Sequence, residues 1–128
     1  MNLLLDTHAL LWFLLDDPRL SPRALQFIEP AENQTWVSVA SLWEIAIKVS
    51  IQKIDLARSF DALIPSQLEA NSIGILPIKV EHLVTLTTLP MVHRDPFDRL
   101  LVAQAISERF DLISGDSVLD AYPITRQW

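Results

Sequence analysis

The sequence predicts an α/β fold, in which helices cover both faces of a central, mostly parallel sheet. Short apolar runs alternate with helical patterns along the 128 residues, which is the order of βαβ units. The first run, Leu3–Leu5, is apolar without alternation, as in strands buried on both faces. No linker, repeat or change of composition divides the chain, so residues 1–128 are predicted to form one domain.

Strands are predicted where apolar or β-branched residues run between turn signals. The sheet has four predicted strands, and a fifth if the last of these segments adds an edge. In chain order the segments are Asn2–Leu5, Thr35–Ser38, Ile73–Ile78, Leu112–Ser114 and Ile124–Thr125.

Helices are predicted from capping residues and prolines. Ser21 before Pro22 pairs an N-cap with a first-turn proline, as Asp95 does before Pro96. Residues 41–44 have the form of a capping box. The predicted helices cover Ala9–Leu15, Pro22–Ile28, residues 41–51, a segment that begins at Ser59 or Asp61, Val80–Leu86, residues 95–109 and a single turn at Ser117–Asp120.

The composition excludes several classes of protein. The chain has no cysteine, which rules out disulfide frameworks, thiol catalysis and iron–sulfur clusters and favours a reducing compartment such as the cytoplasm. Its two glycines cannot form a Walker A or dinucleotide-binding loop. Asp6 and His8 interrupt the apolar N-terminal run, which is too short to span a membrane. The net charge of −6 argues against nucleic-acid binding through bulk charge.

Four carboxylates lie where predicted strands end or predicted helices begin. Asp6 closes the first strand, and Asp116 follows the fourth. Glu44 and Asp98 fall in the first turns of predicted helices. In a parallel sheet all of these positions lie at one edge, where such folds bind ligands. Clustered carboxylates repel one another without a cation, and Mg²⁺ and Mn²⁺ prefer such oxygens, so a Mg²⁺ or Mn²⁺ site suited to phosphodiester hydrolysis is predicted.

Each carboxylate also has an ordinary structural interpretation. Glu44 fits the last position of a capping box that begins at Ser41. Asp98 favours the positive end of a helix dipole, and Asp116 fits a turn or a cap. Asp6 is harder to explain in this way, because a charge at the end of a buried strand needs a partner. The joint placement of the four favours the metal site.

Four blocks of the sequence resemble the PIN domain, and within it the VapC-type toxin ribonucleases of type II toxin–antitoxin systems. These blocks are LLLDTHALLW, SVASLWEIAIKVSIQKI, HRDPFDRLLVAQA and LISGDSVLDAY. The resemblance implies a compact α/β/α sandwich, Mg²⁺- or Mn²⁺-dependent endoribonuclease activity, homodimerisation and inhibition by a small cognate antitoxin. It matches the family's acidic positions to Asp6, Glu44, Asp98 and Asp116. The chain departs from the family at Ser114, where a threonine often stands.

Several further residues are candidates for substrate binding. His93, Arg94 and Arg99 form a basic cluster beside a proposed ligand and could hold RNA phosphates, which for Arg94 is favoured over a solvated surface role. Lys48 stands four residues after a carboxylate, so it either forms a helical ion pair or faces the scissile phosphate. Thr7 either orients a metal-bound water or is an ordinary turn hydroxyl.

Two other functions compete with the nuclease. One is phosphoryl transfer through an aspartyl phosphate at Asp6, which is disfavoured because His8 stands where that chemistry normally places a second aspartate. The other is a binding module without catalysis, such as a receiver-like acidic pocket. The presence of all four acids argues against a degenerate nuclease.

Overall fold

The computed structural model describes residues 1–92 and 94–128 and contains a fully parallel sheet of five strands. The strand order is β3-β2-β1-β4-β5, so the first strand lies at the centre. The α/β prediction, with helices on both faces, is confirmed. The strands are β1 (Asn2–Leu5), β2 (Gln34–Ser38), β3 (Gly74–Leu76), β4 (Asp111–Ile113) and β5 (Arg126–Gln127).

Within the described residues, six helices and one short 3₁₀ helix connect these strands. None of the helices in the described part of the chain is long and apolar enough to cross a membrane. The helices are α1 (Thr7–Leu14), α2 (Pro22–Ile28), α3 (Val39–Ser50), α4 (Phe60–Ala70), α5 (Val80–Thr87), α6 (Pro96–Glu108) and the 3₁₀ helix (Ser117–Ala121).

The central strand is buried on both faces because its three leucines point alternately into two cores. Leu3 and Leu5 pack with residues of α1 to α4 on one face. Leu4 packs on the other face with α6 and the 3₁₀ helix. All three side chains are fully buried. This arrangement explains why the segment is apolar without alternation.

The register of the sheet brings three strand ends together. Leu5 at the end of β1 pairs with Val37 of β2 and with Ile113 of β4. Because all three strands are parallel, the residues that follow them meet at the same edge. We call this the carboxyl edge of the sheet.

Three sequence predictions were wrong in detail. The helix predicted from Ser41 begins at Val39, because the hydroxyl of Ser38 accepts a hydrogen bond from the N–H of Ala40 at 3.1 Å and caps the helix directly after β2. The first helix likewise starts at Thr7, two residues early, because Asp6 caps it. The edge strand lies at Arg126–Gln127, two residues beyond its predicted place.

Candidate metal-binding and catalytic site

Asp6 links the central strand, the first helix and β4. Its backbone N–H donates to the carbonyl of Ile113 at 3.0 Å, and its Oδ1 accepts from the N–H of Ala9 at 2.8 Å. The side chain is buried, with 8% of the residue exposed. Burial raises the pKa of Asp6, while hydrogen bonds from Ser114 and Ala9 oppose this shift and the charge of Asp116 adds to it. Asp6 is therefore a buried carboxylate that is costly to ionise.

Asp116 lies beside Asp6 at the carboxyl edge. It caps the 3₁₀ helix by accepting from the N–H of Val118 at 3.1 Å, and its own N–H donates to Ser114 Oγ at 3.1 Å. Ser114 is fully buried and hydrogen-bonded to both acids. A serine hydroxyl therefore joins the two acids at the position where the family often has a threonine. The two acids line a shared hollow, which we call the Asp6–Asp116 hollow; its other lining residues are His8, Trp12, Arg19, Gly115 and Trp128.

Glu44 is tied to the same edge through Thr7. The hydroxyl of Thr7 donates to Glu44 Oε1 at 2.6 Å, and Lys48 Nζ lies 3.0 Å from Glu44 Oε2. Glu44 is the sixth residue of α3, so its interpretation as the capping-box partner of Ser41 was wrong. Ser41 instead is buried, with its hydroxyl 3.1 Å from that of Thr7. The helical ion pair expected for Lys48 is present.

Asp98 lies in the first turn of α6, which packs beside α3. The ring of Phe97 contacts that of Trp43 edge to face, with centroids 5.4 Å apart. Since Phe97 precedes Asp98 and Trp43 precedes Glu44, this contact brings the two acid-bearing turns alongside each other. Asp95 caps α6 as predicted, accepting from the N–H of Phe97 at 2.8 Å.

The predicted substrate-binding cations separate into two groups. Arg94 lines a hollow together with Glu44 and Lys48, close to the proposed ligands. Arg99 instead donates to the carbonyl of Pro90 at 2.9 Å, which fixes the turn that precedes α6. His93 lies outside the described residues.

Arg19 is a residue of the site that sequence reasoning missed. It lines the Asp6–Asp116 hollow, with its guanidinium 5.1 Å from the centre of the Trp12 ring and 2.8 Å from Asp17. Arg19 follows Pro18 in an irregular loop after α1, and no motif marks it. Only the return of that loop to the carboxyl edge places it there.

A different group of side chains brings three possible metal ligands close together. Among the described residues, the ligand atoms of Glu81, His82 and Glu108 lie within 4.8 Å of one another. This group already contains a cation, because Lys79 Nζ lies 3.1 Å from Glu108 and 3.8 Å from Glu81. Glu108 ends α6, ten residues and about 15 Å from Asp98 along the helix. The group therefore lies away from the predicted site.

Comparison with known proteins decides the family. The sequence model of the PIN domain matches residues 3–124. The chain belongs to the PIN domain family. It is also 31% identical to Ribonuclease VapC22 of Mycobacterium tuberculosis over 123 residues, which cover 94% of this chain and 92% of that protein. This similarity places the chain among VapC-type PIN proteins.

Solved structures of low sequence identity share the PIN fold. VapBC2 of Rickettsia felis, crystallised with a DNA fragment from its promoter, aligns with a TM-score of 0.77 at 16% identity, over 98% of this chain and 97% of that chain. A toxin–antitoxin complex from Klebsiella pneumoniae aligns with a TM-score of 0.55 at 14% identity, over 94% and 92% of the two chains. At these identities the likeness establishes the fold.

Proposed function

We propose that this PIN protein is a metal-dependent endoribonuclease and the toxin of a type II toxin–antitoxin pair, acting in the cytoplasm. The observation that carries the proposal is the pairing of Asp6 with Asp116 at the carboxyl edge, with Glu44 joined to Asp6 through its neighbour Thr7. Similarity to a VapC ribonuclease over nearly the whole chain supports the same activity.

The residues fit a Mg²⁺ or Mn²⁺ ion. Asp6, Glu44, Asp98 and Asp116 offer only hard oxygen ligands, which is the donor set these ions prefer. Among the described residues Asp6 forms no ion pair, although it is buried and its pKa is raised by that burial. A divalent cation held by these carboxylates would lower the pKa of a bound water and stabilise negative charge on a leaving oxygen.

Neighbouring side chains fix the orientation of the carboxylates through hydrogen bonds and an ion pair. Thr7 donates to Glu44 Oε1, and Lys48 holds Oε2, so the Glu44 carboxylate is fixed in orientation from both sides. Ser114 forms a hydrogen bond to the Asp6 carboxylate and accepts the backbone N–H of Asp116, which holds the two residues next to each other. Arg94 is placed to hold a phosphate of the RNA beside Glu44.

The partners follow from the same acidic site and from the family. A cognate antitoxin is expected to inhibit the enzyme by inserting an Arg or Lys beside Asp6 and Asp116, where it would replace the charge of the metal ion. The active form is proposed to be a homodimer, as in the VapC-type proteins that the sequence resembles.

The test is cleavage of labelled RNA by the purified protein with Mg²⁺, with Mn²⁺ and with EDTA. Cleavage is expected with either ion and not with EDTA, and added Mg²⁺ in excess should restore it. An absence of metal-dependent cleavage across tRNA, rRNA and mRNA substrates would contradict the nuclease proposal and favour a binding module.

A further inference from the structure

A second hollow adjoins the Asp6–Asp116 hollow and shares three of its lining residues. His8, Trp12 and Arg19 line both. On its far side the second hollow is lined by Lys48 of α3 and by Lys53, which follows that helix. We call this second hollow the basic groove. It continues from the proposed catalytic carboxylates along the protein surface.

The basic groove is lined by three cations, of which two already have carboxylate partners: Arg19 pairs with Asp17 at 2.8 Å and Lys48 with Glu44 at 3.0 Å. Arg19, Lys48 and Lys53 are three of the ten lysines and arginines in a chain of net charge −6. None of the ion pairs within residues 1–92 and 94–128 involves Lys53. Asp55 also lines the groove and accepts the N–H of Ala57 at 2.8 Å, without forming an ion pair with Lys53. The Lys53 ammonium is therefore available to an anion such as a phosphate.

The groove also carries an aromatic platform. The ring of His8 stacks on Trp12 at an interplanar angle of 25°, with centroids 5.5 Å apart, and His8 is exposed. Arg19 packs against the same Trp12 ring at 5.1 Å. Cations interleaved with exposed stacked rings are the pattern that binds single-stranded nucleic acid, because unpaired bases can stack while phosphates meet the cations.

We propose that the basic groove binds the single-stranded RNA next to the scissile phosphate. Lys53 holds a phosphate, an unpaired base stacks on His8, and Arg19 packs against the Trp12 ring on which His8 stacks. Lys48 remains paired with Glu44 and connects the groove to the catalytic carboxylates. The proposal that this groove leads RNA to the cleavage site rests on the proposed function. Binding of RNA to the groove, however, can be measured without cleavage.

The first test measures binding of a fluorescein-labelled single-stranded RNA by fluorescence anisotropy in EDTA, where no metal supports cleavage. Lys53→Glu is expected to weaken binding about tenfold, and loss of one phosphate contact should reduce the slope of log K against log salt by about 0.7. Arg19→Ala is expected to weaken binding less, because its guanidinium is already paired with Asp17. Arg23→Ala is the matched control. Its guanidinium also packs on a ring, that of Phe27 at 5.8 Å, but it lines neither hollow.

The second test separates base stacking from charge. His8→Ala should weaken binding of single-stranded RNA about tenfold. It should leave binding of inorganic polyphosphate unchanged at the same ionic strength. An acidic polypeptide is the other ligand that such a groove would accept. If polyglutamate of equal charge displaces the RNA as well as unlabelled RNA does, stacking contributes nothing and the proposal is overturned.

Cleavage with Mg²⁺ by the same variants distinguishes failure of this proposal from failure of the proposed function. If the wild-type protein cleaves RNA but Lys53→Glu and Arg19→Ala bind RNA as tightly as Arg23→Ala, the basic groove is wrong and the nuclease stands. If the variants lose affinity while the wild-type protein cleaves nothing, the groove stands as an RNA site and the nuclease is wrong.

Discussion

The carboxyl edge and the far end of α6 each hold acidic side chains within a hydrogen-bonded network, but they balance negative charge differently. At the far end, hydrogen bonds from His82 and Lys79 lower the pKa of Glu108. At the carboxyl edge, burial raises the pKa of Asp6, and the charge of Asp116 raises it further. Glu108 is paired with Lys79, whereas Asp6, the buried acid at the carboxyl edge, forms no ion pair among the described residues.

The network at the far end has the character of a structural clamp. The N–H of Lys79 donates to His82 Nδ1 at 3.0 Å, so that nitrogen carries no proton and Nε2–H donates to Glu108 Oε1 at 2.8 Å. His82 is fully buried and joins the start of α5 to the end of α6. Close packing of ligand atoms is thus a poor guide to function here, and an unbalanced buried charge is a better one.

The largest effect is expected from Asp6→Asn. The amide keeps an acceptor for the N–H of Ala9 but loses the charge. Cleavage should therefore fall by at least about 100-fold, which is more than is usual when a residue that only hydrogen-bonds to a metal ligand is replaced. Without metal the variant should melt at a higher temperature than the wild type, because the buried charge is gone. Asp61→Asn, which removes an exposed charge from α4, is the control. Undiminished cleavage by Asp6→Asn would refute its assignment as a ligand.

His82→Ala is expected to lower stability and to leave cleavage unchanged, the reverse of Asp6→Asn. Removing the buried ring breaks its bonds to Lys79, Gln104 and Glu108, which should cost about 2–4 kcal/mol of unfolding free energy. Urea denaturation measures this loss. Cleavage per folded molecule should be unchanged below the unfolding transition, and a specific loss of activity there would show that the clamp belongs to the functional site.

A smaller effect on activity is expected from Thr7→Val. The substitution keeps the side-chain shape but removes the hydroxyl that donates to Glu44, so cleavage should fall about tenfold. Thr7→Ser should recover most of it. The measurement is kcat and metal affinity for the three proteins, and equal values for all of them would mean that Thr7 is an ordinary buried hydroxyl.

The smallest effect is a difference in pH dependence between the two networks. Because the pKa of Glu108 is lowered from 4.5, its ionised side chain adds to the free energy of unfolding above that pH, and this stabilisation is lost on acidification. The pKa of Asp6 is raised from 3.8, so ionising this residue in the folded protein lowers the free energy of unfolding. This loss grows as the pH rises from 3.8 through the pKa of the folded state. In chelator, from about pH 3 to pH 7, Glu108→Gln should become progressively destabilising relative to wild type, and Asp6→Asn progressively stabilising. If the stability of both variants relative to wild type changed in the same direction with pH, the contrast between the two networks would be contradicted.

The fold was largely predictable because its signals are local. The apolar run of β1 predicts a doubly buried strand, and Asp95 before Pro96 predicts the start of α6. The helix start at Ser38 was missed because two serines lie within four residues and the capping-box pattern favoured the wrong one. The immediate turn from β2 into α3, which the tertiary packing imposes, decides between them.

The proximity of Asp6 and Asp116 was predictable, but the surroundings of these two acids were not. The chemistry of clustered carboxylates and the topology of a parallel sheet predict Asp6 and Asp116 together, and they line one hollow. Arg19 and Lys53 carry no such signal, because loops bring them to the site from either side. The bond of Arg99 to the backbone of Pro90 is equally invisible in the sequence.

The sequence by itself determined the fold class and the family and proposed the acidic residues, because apolar periodicity, caps and motif spacing are properties of short segments. The tertiary structure decided that Asp6 is buried without an ion pair among the described residues, and that Glu108 is paired with Lys79 and hydrogen-bonded to His82. It also decided which cations line the path away from the acids. These outcomes depend on burial and on distances between residues far apart in the chain, since the cost of a charge is set by everything that surrounds it.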